Sequence, residues 1–249
     1  DTVYPVDGDC RMSDAPAHEQ TRLDQGDVVV QSAQILDVIE GGGVAIIPLD
    51  VAYAIIGNSE DSIRRIFSAK ERSFEKPSGM FSNFDLLKEV QIMEPWQHDI
   101  VKAVIFDNDL PFSTVAPFRA DHSIFKNVAP FVLKNSTKAG TIDMLLNAGV
   151  FHNEMTRQTM ERMMPVLGSS ANTSLTGSKY RLEDIDRPVL EAGDILVDGG
   201  LSKYSNDEGM SSSIIDFTTF KTVRVGVCYG RLCEIFLKFK IDLKANGMA

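Results

Sequence analysis

The stretch Ser32–Leu49, SAQILDVIEGGGVAIIPL, changes its period at the middle. Ile35, Leu36 and Ile39 recur at helical spacing, and Gly41, Gly42 and Gly43 stop the helix where a residue without Cβ can turn the chain. Beyond them VAIIPL is an unbroken apolar run, too short for a helix, which is how a strand covered on both faces reads. The triple glycine reads as a helix C-cap in preference to a phosphate loop, because it precedes a strand, whereas such loops follow a strand and open a helix. Next comes NSEDSIRRIF, which predicts a second helix. Asn58 or Ser59 is its N-cap, Glu60 and Asp61 suit its dipole, and Ile63, Ile66 and Phe67 form its apolar stripe.

The alternation continues outward from this core. QHDIVKAVIF and NEMTRQTMERMM have the spacing of amphipathic helices, while FSTVAPF, APFVLK, MPVLGSS, DILVD, SSSIIDF and KTVRVGV read as strands. Interleaved strands and helices without an internal repeat predict an α/β fold, an open twisted mixed sheet with helices on its faces. One domain is expected over residues 28–240. Residues 1–27 are polar and aperiodic and read as a mobile arm or leader, and residues 241–249 as a frayed tail.

Composition narrows the function. The chain has 249 residues, 43% hydrophobic, with a net charge of -10. That acidity argues against a broad nucleic-acid or anionic-membrane surface, since both need an excess of Lys and Arg to displace counterions; it leaves room for a local basic pocket. Cys10, Cys228 and Cys233 form no C-x-x-C pair, and His18, His98, His122 and His152 lack ligand spacing, so no disulfide framework and no protein-held metal site is expected. The cysteine usage fits a reducing cytoplasm, and no apolar run approaches spanning length.

Two short stretches carry the chemistry. SAKERSFEKP gathers Lys70, Arg72 and Lys76 in an acidic chain. Read alone, these are cations at a helix C-terminus. PVLGSSANTSLTG ends an apolar strand in Ser169, Ser170, Asn172 and Thr173, where open α/β sheets bind ligands, although a Ser/Asn turn has the same composition. Ser211, Ser212 and Ser213 stand before a β-branched strand, and Arg224 lies within another.

In order, IIPLDVAYAI, K-x-R with a following Lys-Pro, S-x-N inside SSAN, SSSIID and R-x-G resemble the YrdC-like family of threonylcarbamoyl-AMP synthases, over residues from about 30 to 230. The resemblance implies a twisted sheet around a deep central cavity in which ATP, bicarbonate and an amino acid meet. The amine captures carbon dioxide as a carbamate, the carbamate attacks the α-phosphorus, and pyrophosphate leaves with Mg2+. It implies catalytic roles for Lys70, Arg72, Ser170 and Asn172, nucleotide contacts from Lys76, Ser212, Ser213 and Arg224, and substrate contacts from Leu49, Val51, Tyr53 and Ser113. It also implies a place in tRNA modification, with a downstream transferase that consumes the adenylate. The chain departs from the family pattern where two threonines give way to Leu49 and Val51, the glycine after the tyrosine to Ala54, and Pro-x-Thr to Pro111-Phe112-Ser113. A basic residue before the P-x-H stretch is absent from NAGVFHN. An apolar wall discriminates poorly for a hydroxyl, so threonine selectivity is expected to be relaxed. The competing expectation is a non-catalytic module that holds nucleotide or RNA.

Overall fold

In the computed structural model, which describes residues 20–24, 26–73 and 76–247, the plan read from Ser32–Leu49 is built as a sheet with helices on both faces. Strand β1 (Thr21–Leu23) leads into helix α1 (Val28–Glu40), whose N-cap Asp27 accepts from the amides of Val29 and Val30. α1 ends at Gly41, and Gly42 follows at φ 87°, a conformation open to glycine without strain. Strands β2 (Ala45–Ile47) and β3 (Ala54–Gly57) form an antiparallel pair, and helix α2 (Glu60–Ala69) starts at Ser59, which exchanges hydrogen bonds with Ser62 in a capping box.

The chain continues through β4 (Gly79–Phe81), α3 (Phe84–Val90), α4 (Pro95–Lys102) and β5 (Phe112–Pro117), then α5 (Pro130–Lys134), β6 (Thr137–Lys138) and β7 (Thr141–Leu146). It closes with α6 (Val150–Arg162), β8 (Leu167–Ser170), α7 (Arg187–Glu191), β9 (Ile195–Val197), β10 (Ile214–Asp216), β11 (Thr222–Arg224), α8 (Tyr229–Lys238) and α9 (Leu243–Asn246). The strand order is β1-β9-β2-β3-β8-β4-β7-β5-β10-β11, with β6 added beside β7. β1, β9 and β2 run parallel, β4 pairs parallel with β7 and β5 with β10, and the other pairs are antiparallel, so the sheet is mixed and open.

Cross-strand partners share a face, so the register sorts the side chains. Ile46, Ile55, Leu167, Met80 and Met144 fall on one face and pack with Ile63, Ile66 and Phe67 of α2. On the other face Ala45, Ile47, Ala54, Ile56 and Phe81 pack beneath Ile35, Leu36 and Ile39 of α1 and Phe151 and Met155 of α6. That second face continues through Gly168, Ser170, Gly79, Asp143, Ser113 and Arg224, where apolar residues give way to glycine, hydroxyl and charge.

Four sequence expectations change. APFVLK is helix α5 and not a strand, because Pro130 at its first turn has a fixed φ suited to a helix start and no amide hydrogen to lose. The segment TIDMLL, passed over in the sequence, is the long strand β7. Thr21–Leu23, read as part of the arm, pairs with β9, while residues 1–19, including Cys10 and His18, lie outside the described residues. The tail read as frayed contributes α9, with Leu243 fully buried and the Gly247 carbonyl accepting from Thr222 N at 3.0 Å.

His152 is a core residue with a testable consequence. It is buried on α6 beside Phe81, ring centroids 4.7 Å apart, and burial pushes its pKa from 6.5 down to about 4. Between those values the unfolded chain binds a proton that the folded one refuses, so the neutral imidazole's contribution is complete above pH 6.5 and lost as pH falls through 4. At 1.36 kcal/mol per unit this is about 3 kcal/mol. Denaturant titrations from pH 7 to 4 should show His152→Phe losing that much less stability than the parent; parallel curves for the two proteins would refute it.

Candidate active site

α2 delivers the first cation. Lys70 is its C-cap, and Glu71 at φ 49° turns the chain out of the helix before Arg72. Lys70 is only 1% exposed; Nζ donates to the carbonyl oxygens of Ser170 and, at 2.5 Å, Asn172, while Ser174 N donates to the Lys70 carbonyl at 2.8 Å. Burial pulls its pKa from 10.5 to about 7; the positive charge of Arg72 adds to this and Asp186 opposes it. Ser170 Oγ donates to Asn172 Oδ1 at 2.5 Å, so K-x-R and S-x-N form one cluster at the carboxyl end of β8.

Arg72 is held by backbone. Nε donates to the Lys76 carbonyl at 3.0 Å and Nη2 to the Pro77 carbonyl at 2.7 Å, with the guanidinium carbon 5.6 Å from the centroid of Phe67. Burial lowers its pKa, Arg224 lowers it further, and Asp143 pulls the other way. Lys76 is itself exposed and meets this cluster through its carbonyl; its side-chain charge is directed to solvent.

The second cluster comes from β5, β10 and β11. Arg224 donates through Nε and Nη2 to the Ser212 carbonyl at 3.0 and 2.8 Å, and through Nη2 to Ser212 Oγ at 3.0 Å. Ser212 Oγ is 3.5 Å from Ser113 Oγ. Ser213 braces the backbone, donating to the Val227 carbonyl and accepting from Gly226 N, both at 3.0 Å. A Cβ at Gly226 would lie 2.2 Å from the Ser211 carbonyl, which is why R-x-G ends in glycine. Arg224 is accessible to solvent, yet the surrounding protein still desolvates it and lowers its pKa, against the pull of Asp143.

Asp143 joins the two clusters and was missed in the sequence. It lies on the same face as Gly79, Ser113 and Arg224, and its carboxyl is pushed up by burial against the pull of Arg224, Ser113 and Arg72. The alternation Thr-Ile-Asp-Met over residues 141–144 was its available signal, because a period of two marks a strand with Asp143 on the polar side.

The remaining candidates are packed differently. Tyr53 is fully buried, with its hydroxyl donating to the Gly200 carbonyl at 3.0 Å and accepting from Gly199 N at 2.9 Å; burial raises its pKa to about 12. It braces the Asp198–Gly200 turn. Val51 is 2% exposed within the core under α1 and α6, and Leu49 lines a separate cavity of about 340 Å³ at the ends of β2 and β9, with Asp50, Phe151 and Lys203. That cavity includes neither Lys70 nor Arg72 among its walls.

Fold and site together define a mixed α/β sheet with basic and hydroxyl groups gathered over its small-residue strip. A family model, Sua5/YciO/YrdC, described as telomere recombination, matches residues 37–226, and the chain belongs to that family. Its fold is shared with the hypothetical protein smu.1377c of Streptococcus mutans (TM-score 0.74, 16% identity, covering 88% of this chain and 94% of that one). It is shared with YciO of E. coli (0.61, 18%, 84% and 95%) and with P. abyssi Sua5 complexed with L-threonine (0.66, 18%, 90% and 61%). This chain therefore spans about three fifths of that Sua5 chain.

Proposed function

We propose that this protein uses ATP to form a carbamoyl adenylate from bicarbonate and an amino acid or related amine, releasing pyrophosphate. The observation that carries the reading is the junction of Lys70 and Arg72 with Ser170 and Asn172 at a strand end, with Arg224, Ser113 and Ser212 on the same face. Such a set offers fixed donors to phosphate and carbamate oxygens, and preorganised donors stabilise the charge that develops as the α-phosphorus is attacked. Arg72 and Arg224 are already fixed by carbonyls, so little ordering is needed on binding. Among the described residues no group of three or more His, Cys, Asp or Glu side chains could hold a metal, and Mg2+ would arrive on the triphosphate. Placement in tRNA modification, with a transferase as consumer of the adenylate, extends the same reading.

The test is pyrophosphate release with ATP, Mg2+, bicarbonate and each amino acid in turn. Amine-dependent release is expected; ATP binding without release from any amine would favour a non-catalytic nucleotide-holding module. Within that panel we expect threonine to lack a large lead. The hydroxyls of the family's two threonines are absent here, with Leu49 and Val51 in their places and packed away from the Lys70 cluster, and a substrate hydroxyl left unpaired costs about 1–3 kcal/mol. A hundredfold lead for threonine in the parent protein would overturn this expectation.

A further inference from the structure

Asp143 is an acid set between cations that do not close on it. Arg72 and Arg224 both act on its carboxyl electrostatically, yet Arg72 turns Nε and Nη2 to the carbonyls of Lys76 and Pro77, and Arg224 turns the same atoms to Ser212. Asp143 Oδ1 is shielded from solvent and has no hydrogen-bond partner. Ser113 offers its hydroxyl to the carboxyl, and Gly79 stands opposite, where a Cβ would lie 3.5 Å from Oδ2. Buried polar atoms are nearly always satisfied, and carboxylates near arginines ordinarily pair with them. Backbone carbonyls here hold both guanidiniums back, so a carboxylate beside both basic clusters keeps unused acceptor capacity.

The ligand that completes this arrangement carries a donor with positive charge. A divalent cation fits poorly, since it needs several oxygen ligands and would face two guanidiniums. An ammonium needs only acceptors, and when it belongs to an amino acid the same molecule brings a carboxylate for a guanidinium. We propose that Asp143 accepts the ammonium of an α-amino-acid substrate and thereby distinguishes it from a carboxylic acid of the same shape. This assignment rests on the reading that the site takes an amine.

Four probes test it by calorimetry: L-threonine with 3-hydroxybutyrate, and L-valine with 3-methylbutanoate, each pair differing by the amino group. The parent protein should bind the better amino acid at least tenfold more tightly than its deaminated counterpart. Asp143→Asn should weaken amino-acid binding at least tenfold, leave the deaminated acids unchanged, and bind inorganic pyrophosphate as well as the parent or better, which shows that the site is still folded. Asp143→Glu should recover part of the preference. Equal amino-acid affinity in the parent and Asp143→Asn overturns the inference alone. A parent protein that binds ATP but neither of these amino acids nor any other of the twenty overturns it together with the amine reading. Weakened amino-acid binding in Asp143→Asn without pyrophosphate release from the parent supports Asp143's role and sinks the adenylate reading.

Discussion

Alanine at both Lys70 and Arg72 should lower ATP affinity by about two to four orders of magnitude. Each removes a charge-assisted contact worth about 1.5–3 kcal/mol, and together they are expected to cost about 3–6 kcal/mol. Calorimetry on the double variant measures this directly, with a denaturant curve alongside, because removing Lys70 also strips a donor from the Ser170 and Asn172 carbonyls. Unchanged ATP affinity in a folded double variant would refute the site. A second readout isolates Lys70. Its folded pKa of about 7 lies below the unfolded 10.5, so in the ligand-free protein stability rises with pH across that interval. A bound polyphosphate favours the ammonium and reverses the shift, so ATP binding at pH 8 should take up a proton. Calorimetry in two buffers of different ionisation enthalpy should detect that proton in the parent and lose it in Lys70→Met.

Gly168→Ala should be among the most damaging single-atom changes in the chain. Gly168 lies in β8 between β3 and β4, and a Cβ there would sit 2.2 Å from the Ile55 carbonyl and 3.0 Å from the Ile56 Cα. Both neighbours are backbone of an adjacent strand, so the sheet must part; overpacking of this kind costs about 3 kcal/mol. Ser170 lies two residues on, hence ATP affinity should fall as well. Gly230 in α8 is the control: a Cβ there meets nothing within 4 Å, and Gly230→Ala should stabilise the helix by about 0.5–1 kcal/mol. Equal denaturant midpoints for the two variants would show that the tight contact at Gly168 is relieved without cost.

The family pattern was legible in the sequence because its parts are local. Helix α1, its glycine stop and strand β2 follow from a change of period within Ser32–Leu49, and Ser59, Glu60 and Asp61 announce α2 through capping and dipole. K-x-R and S-x-N likewise stand in the sequence as short clusters at element ends. Strand order and register decided the rest. That Lys70 meets Ser170 and Asn172 depends on β8 lying beside β3 and on α2 returning over the same sheet, contacts between residues about a hundred positions apart. Asp143 looks like any surface acid until the pairing of β7 with β4 and β5 sets it on the face shared by Ser113 and Arg224. Lys76 and Tyr53 show the converse. The family resemblance implies ligand contacts for both, while the fold leaves the lysine exposed and engages the phenol hydroxyl with a turn. Periodicity and capping act over a few residues, so the sequence alone determined most of the elements, though not α5, β7, β1 or α9; which side chains converge depends on cross-strand register and burial, and those exist only once the whole sheet has assembled.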